Sequence, residues 1–350
     1  MNIEERIKMF QDVFAPKSGE KILFLIDIPH DNIKDSKLWK ERRELAYEWV
    51  KTFEVLGKKI KLCIDIKNFK ATGFHNAPLP EEIVDIAHRS NVVIAITEYS
   101  GTVSLKQVCD TPGSITRCAS MPQAERRMEQ TAFIANYTVV KRYATAIENM
   151  LNSALGAEVV FSTNDSLYLD LRNRVAHSES GICHTAGQCI NFPSGEGFKA
   201  PYEAAVDEID TFGKSKTEGI LPIYLNGEIV RCVIKYNKII KIPGINKKSN
   251  ELDELFKEND TRRNIAELGI GCNPHAVVTG NILEDEKTGG FHIAYGTSVH
   301  LGGKIQSDMH QDICYAKNLP IEAKSLTLIN NDGKKIELIK NAKLRYKILK

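Results

Sequence analysis

Through the first third of the chain, short continuous apolar runs alternate with longer amphipathic stretches. Residues 21–27 read Lys-Ile-Leu-Phe-Leu-Ile-Asp, the pattern of a strand buried on both faces. Leu45, Trp49, Phe53 and Leu56 then recur at helical spacing, with Gly57 placed to end that helix. Residues 60–64 and 91–96 form two further apolar runs, and Pro80-Glu81-Glu82 between them opens another helix. Strands that alternate with helices predict a parallel sheet joined by right-handed crossovers. Residues 121–155 read as largely helical, with Arg126-Arg127 on the polar side and Gly156 as the stop.

After this stretch the period changes. Residues 158–162 and 167–171 are strand-like runs flanking Thr163-Asn164-Asp165. Asn226-Gly227 lies between Ile223-Tyr224-Leu225 and Ile229-Val230, a strong hairpin signal, and Asp332-Gly333 marks a second hairpin. One helix, near 249–258 with Ser249 at its cap, interrupts the strands. The expected architecture is α/β: a parallel-sheet α/β domain over 1–160, then a strand-rich α+β domain over 161–350.

Composition narrows the classes. The chain is 42% apolar and 26% charged, too apolar for a disordered protein. Its formal net charge of +2 supplies no global field for nucleic acid or anionic lipid, and Lys247-Lys248 and Lys334-Lys335 are short enough to be solvated surface. No stretch of about 18 apolar residues occurs, so no membrane span is expected. The polar start Met1-Asn2-Ile3-Glu4-Glu5-Arg6 is not a signal peptide, which gives the expectation of a cytoplasmic protein. None of the eight cysteines forms a C-x-x-C pair, and they are expected as reduced, buried small hydrophobes. Gly-x-Gly-x-x-Gly and Gly-Lys-Ser/Thr are both absent, which removes the usual nucleotide-binding signatures.

The metal-capable side chains concentrate in the second half. If Ser307-Asp308-Met309-His310-Gln311-Asp312 is a strand, His310 and Asp312 project to one face and can ligate one ion. Glu267 and His292 lie in other strand-like runs. Strands set side by side would gather Glu196, Glu267, His292, His310 and Asp312 around divalent ions such as Zn, Mn or Co. Two ions sharing a water suit hydrolysis of a polarised carbonyl. Each piece also has a plain reading: a lone histidine beside apolar residues is often structural, and Glu196 stands in a turn-rich segment. Glu284-Asp285-Glu286 is expected to be a solvated acidic turn. Arg174, His184 and Lys199 are candidates for binding a substrate carboxylate or an oxyanion.

The order of these segments adds to the spacing. Pro193-Ser194-Gly195-Glu196-Gly197-Phe198-Lys199-Ala200-Pro201 comes first. Ala266-Glu267-Leu268-Gly269-Ile270-Gly271, His292-Ile293-Ala294-Tyr295-Gly296 and Ser307-Asp308-Met309-His310-Gln311-Asp312 follow. Together they resemble the thermophilic aminopeptidase T family of metallo-aminopeptidases over about residues 190–315. The resemblance implies a homodimer that removes N-terminal residues from small peptides or amides. It implies two divalent ions held by Glu196, Glu267, His292, His310 and Asp312, with Glu267 and His310 as catalytic candidates. That family carries a tyrosine seven residues after the histidine matching His292; here the position is Val299, with His300 beside it as a further substrate-binding candidate. The 2,5-dihydroxypyridine dioxygenases are similar to the same fold but hold one iron through two histidines and an aspartate. In them the position of Glu267 is a histidine, and those of Glu196 and His292 are not ligands. A ring-opening enzyme on a small heterocycle, hydrolytic or iron-dependent, and a non-catalytic relative stand as alternatives.

Overall fold

The structure is a computed structural model that describes residues 1–244 and 246–349. Its first elements alternate as α1 (Ile3–Phe14), β1 (Lys21–Ile28), α2 (Lys37–Ile60), β2 (Cys63–Lys70), α3 (Glu81–His88), β3 (Val92–Ala95), α4 (Thr102–Asp110) and β4 (Arg117–Ser120). Every strand pairing among them is parallel. β1 needs apolar residues on both faces because both faces are covered. Leu23 and Leu25 pack with Leu79, Ile83, Leu105 and Val108. On the other side Phe24 meets Phe53, whose ring lies 4.2 Å from that of Phe10.

Four local expectations change. Helix α2 runs past Gly57 to Ile60 and ends on Lys61 in a left-handed conformation, with φ of 57°. Gly57 serves close approach instead, since a Cβ there would stand 3.3 Å from Leu62 Cβ. The apolar run at 60–64 becomes the helix end and the start of β2, an edge strand with one neighbour, so most of β2 is exposed, Cys63 included. Residues 121–155 are only partly helical. Two 3-10 turns, Arg126–Gln130 and Ala132–Ile134, precede α5 (Tyr137–Ser153), and a strand begins at once on Ala154.

The next elements are β5 (Ala154–Phe161), β6 (Ser166–Asp170), β7 (Ala176–Glu179), β8 (Cys189–Asn191), β9 (Glu196–Lys199) and α6 (Ile209–Phe212). Then come β10 (Glu218–Leu225), β11 (Glu228–Lys235), β12 (Lys238–Lys241), α7 (Lys247–Glu258), β13 (Ile265–Gly271), α8 (Ile282–Asp285) and β14 (Phe291–Gly296). β15 (His310–Tyr315), β16 (Ala323–Asn330), β17 (Lys335–Lys340) and β18 (Lys343–Leu344) close the chain. Both predicted hairpins form, β10–β11 and β16–β17. Helix α7 is capped by Asn246, which accepts from the Ser249 amide at 2.7 Å, so Ser249 lies inside the first turn.

The chain divides into two units that are not continuous in sequence. One comprises residues 1–141, 179–194 and 275–277; the other comprises 142–178, 195–274 and 278–350. This differs from the division expected at 160. The reason is β8, which returns to pair in parallel with β4 and extends the first sheet to β2-β1-β3-β4-β8. The second unit holds an eight-stranded sheet, β12-β11-β10-β6-β5-β16-β17-β18, and a five-stranded sheet, β15-β14-β13-β9-β7. Among the described residues no helix is long and apolar enough to cross a membrane.

Candidate metal centre

The five-stranded sheet of the second unit is antiparallel in the part that matters, and its register builds the site. Residues opposite one another on paired antiparallel strands share a face. Glu267 on β13 faces Ala294 on β14, which faces Asp312 on β15. In the next row Gly269 faces His292. Beyond it Gly271 faces Glu196 on β9. Each large ligand-type side chain therefore stands beside a residue with almost no side chain. The imidazole of His292 lies over Gly269, where a Cβ would collide with it.

The side chains converge as a result. His292 Nε2 is 3.3 Å from Glu267 Oε1 and 3.4 Å from Glu196 Oε2. His310 Nε2 is 3.1 Å from Glu267 Oε2 and 3.4 Å from Asp312 Oδ1. His310 Nδ1 is 2.8 Å from the Thr297 carbonyl. Nδ1 carries the proton that bond requires, so an ion at Nε2 would replace the second proton that otherwise bridges Nε2 to the carboxylates. All five sequence candidates for metal binding are thus within one cluster, and His310 and Asp312, 18% and 20% exposed, form its solvent side.

The electrostatics are those of a site that draws cations. Burial works against a charged His292. The hydrogen bond to Glu267 and the charges of Glu196, Glu267 and Asp312 outweigh it and push the imidazole up to about 10. His310 is raised in the same way by Asp312 and Glu267. Burial alone would raise Glu267, but its hydrogen bonds to the two histidines hold it well below the usual carboxylate range. Three buried polar atoms, Glu196 Oε2, His292 Nδ1 and Asp312 Oδ1, have no hydrogen-bond partner. Orphaned carboxylate oxygens in a buried cluster are what a bound ion would satisfy. Among the described residues, three sets of donors lie close enough to share an ion: Glu196, Glu267 and His292; Glu267, His310 and Asp312; and Glu286, His292 and Asp312. Mixed carboxylate and imidazole donors suit Zn, Mn, Co or Fe.

Two members of the cluster went unread in the sequence. Glu286 follows α8 directly and is a half-buried donor, its side chain 13% exposed, where a solvated turn was expected; burial pushes its carboxyl up to about 8. Lys287 beside it is fully buried, with Nζ 2.5 Å from Glu196 Oε1 and 2.8 Å from Glu286 Oε1. The signal that could have found them is Gly289-Gly290. A Cβ at Gly290 would meet the Tyr315 carbonyl at 2.7 Å, so the pair marks a place where backbones touch.

The four substrate-binding candidates fare differently. Arg174 is buried and its guanidinium is held by Glu203 and Glu208, at 2.5–2.8 Å. It braces the structure and has no free fork for a ligand. Lys199 faces Leu268, so it projects to the sheet face opposite Glu267, and its Nζ donates to the Leu151 carbonyl at 2.9 Å. His184 lies in the first unit, with Nε2 2.9 Å from the Asp12 carbonyl. His300 alone of the four is at the cluster. It is exposed and its ring packs edge-on to His310, centroids 4.7 Å apart.

No model of a known protein family matches the chain, and no curated protein is detectably similar to it in sequence. Solved structures do share the fold. The 2,5-dihydroxypyridine dioxygenase of Pseudomonas putida KT2440 superimposes with a TM-score of 0.68 at 16% identity, over 98% of both chains. AmpT, an aminopeptidase T of Thermus thermophilus, gives a TM-score of 0.63 at 12% identity, again over 98% of both chains.

Proposed function

We propose that the chain is a metal-dependent hydrolase of amide bonds, aminopeptidase-like, acting on small peptides or amides. One observation carries the reading: Glu196, Glu267 and His292 converge, with Glu267 directing one oxygen to each of two histidines. A single-iron site of two histidines and one aspartate would leave Glu196 and Glu267 as two surplus buried carboxylates, which a hydrolase site can use as ligands. Glu196, Glu267, His292, His310 and Asp312 would hold the metal. A divalent ion such as Zn, Mn or Co, when bound there, polarises a scissile carbonyl and acidifies the attacking water. Glu267 and His310, 3.1 Å apart on the solvent side, are assigned as the groups that orient the attacking water. The Thr297 carbonyl keeps the His310 ring in the orientation that the site needs. His300 at the rim is the residue placed to contact substrate.

The test is a panel of aminoacyl anilides, dipeptides and cyclic amides, assayed with added Zn, Mn or Co. Amide cleavage is expected with at least one ion. His310→Ala and Asp312→Ala should lower turnover by about 100-fold or more while the far-ultraviolet circular dichroism stays unchanged. Oxygen consumption with iron on a hydroxylated heterocycle, without amide cleavage, would replace this reading with a ring-opening oxygenase. Unchanged turnover in both variants would remove the site assignment.

A further inference from the structure

Lys287 pairs with carboxylates from two of the three ion-capable sets. Glu196 belongs to the set with Glu267 and His292, and Glu286 to the set with His292 and Asp312. The remaining set, Glu267, His310 and Asp312, makes its ion pairs within itself and with His292. It is also the set that reaches solvent, through His310 and Asp312.

The ammonium is fixed where it stands. The Lys287 side chain is 0% exposed. Its amide donates to the Glu284 carbonyl at 3.0 Å, and its own carbonyl accepts from the Asn273 amide at 2.9 Å. Gly271 packs directly onto the Glu286 and Thr288 carbonyls, so the backbone on both sides of Lys287 is clamped to β13. A lysine on a mobile surface loop could swing into water when an ion arrived; this one has no such path. Two divalent ions plus the ammonium would also carry more positive charge than the four carboxylates Glu196, Glu267, Glu286 and Asp312 can balance in a site of low dielectric.

We propose that Lys287 is a built-in second cation. Its ammonium occupies the charge position between Glu196 and Glu286, and the centre takes a single tightly held divalent ion at Glu267, His310 and Asp312. Lys287 is then a positioning residue: it pins Glu196 through Oε1 and turns Oε2 toward His292. The proposal rests on the metal-centre reading given under Proposed function and narrows it: Glu267, His310 and Asp312 hold the ion, while Glu196 and His292 support Glu267 from the buried side.

Metal stoichiometry tests it without recourse to activity. Chelator-treated, repurified protein is dialysed to equilibrium against Mn or Co, and the Mn-loaded form is examined by electron paramagnetic resonance. The wild type should bind about one equivalent tightly, with the signal of an isolated Mn ion. Lys287→Met should bind about two, with the signal of a coupled pair, and Lys287→Arg, which keeps the charge, should bind about one. Two tight equivalents in the wild type, or one in a folded Lys287→Met, would overturn the proposal and leave the metal centre standing. No ion bound by the wild type would remove the metal centre and the proposal together. Should Lys287→Met fail to fold, Lys287→Gln and the wild-type count decide the matter.

Discussion

A methyl group added at Gly269 would collide with the imidazole of His292. Gly269→Ala is therefore expected to push His292 off the cluster and weaken ion binding by about 10- to 100-fold, as losses of ligand support do. Calorimetric titration with Co would show it, and an unchanged affinity would mean that His292 neither ligates the ion nor holds Glu267 in place for it. Lys199 gives a second residue-scale prediction, on stability. Burial lowers its ammonium to about 8 from an ordinary value of 10.5. Between those values the unfolded chain binds more protons than the folded one, so stability rises with pH across the window. Below about 8 both states are charged and the burial penalty is present in full. Lys199→Met should relieve that penalty, about 2–3 kcal/mol before the lost hydrogen bond to Leu151 is subtracted. Its advantage in urea melts should shrink from pH 8 toward pH 10.5; an advantage that grows over that range would refute the assignment.

At the scale of elements, the hairpin from β14 to β15 carries His292, His310 and Asp312. It turns on Gly296, whose φ of 109° suits no other residue and whose missing Cβ would meet the Met309 carbonyl. Gly296→Ala should cost about 1–3 kcal/mol and shift His310, seen as a lower urea midpoint together with weaker Co binding. Elements of this kind explain what the sequence could disclose. β1 and β3 were legible because burial on both faces leaves a continuous apolar run, and the β10–β11 turn because Asn226-Gly227 has few other uses. The candidate ligands His310 and Asp312 were legible through strand periodicity, two apart on one face, and Glu196, Glu267 and His292 through the order of their segments. β8 was not, for its three residues pair with a strand far away in sequence. Lys199 was misread because one position of register decides its face, and Glu286 and Lys287 because their burial depends on where Gly289-Gly290 brings the backbone.

On the scale of the whole molecule, ion binding should appear as stability. A ligand that binds only the folded state at 100 times its dissociation constant adds about 2.7 kcal/mol. Added Mn or Co should raise the thermal midpoint of the wild type, and a chelator should lower it. Asp312→Ala should respond to neither, because the set it completes is gone. A midpoint in the wild type indifferent to all divalent ions would count against a metal centre anywhere in the second unit.

The placement of β15 at the border of its sheet bears on how the protein is made. Glu267 and His310 are 43 residues apart in the chain, and Glu196 and Lys287 are 91 apart. A ribosome therefore delivers β9 and β13 well before β15, and β14 shortly before it. Until β15 arrives, β14 presents the edge Phe-His-Ile-Ala-Tyr-Gly, apolar and unpaired, which is a template for another chain. An ion that needs His310 and Asp312 would bind only after β15 has joined the sheet.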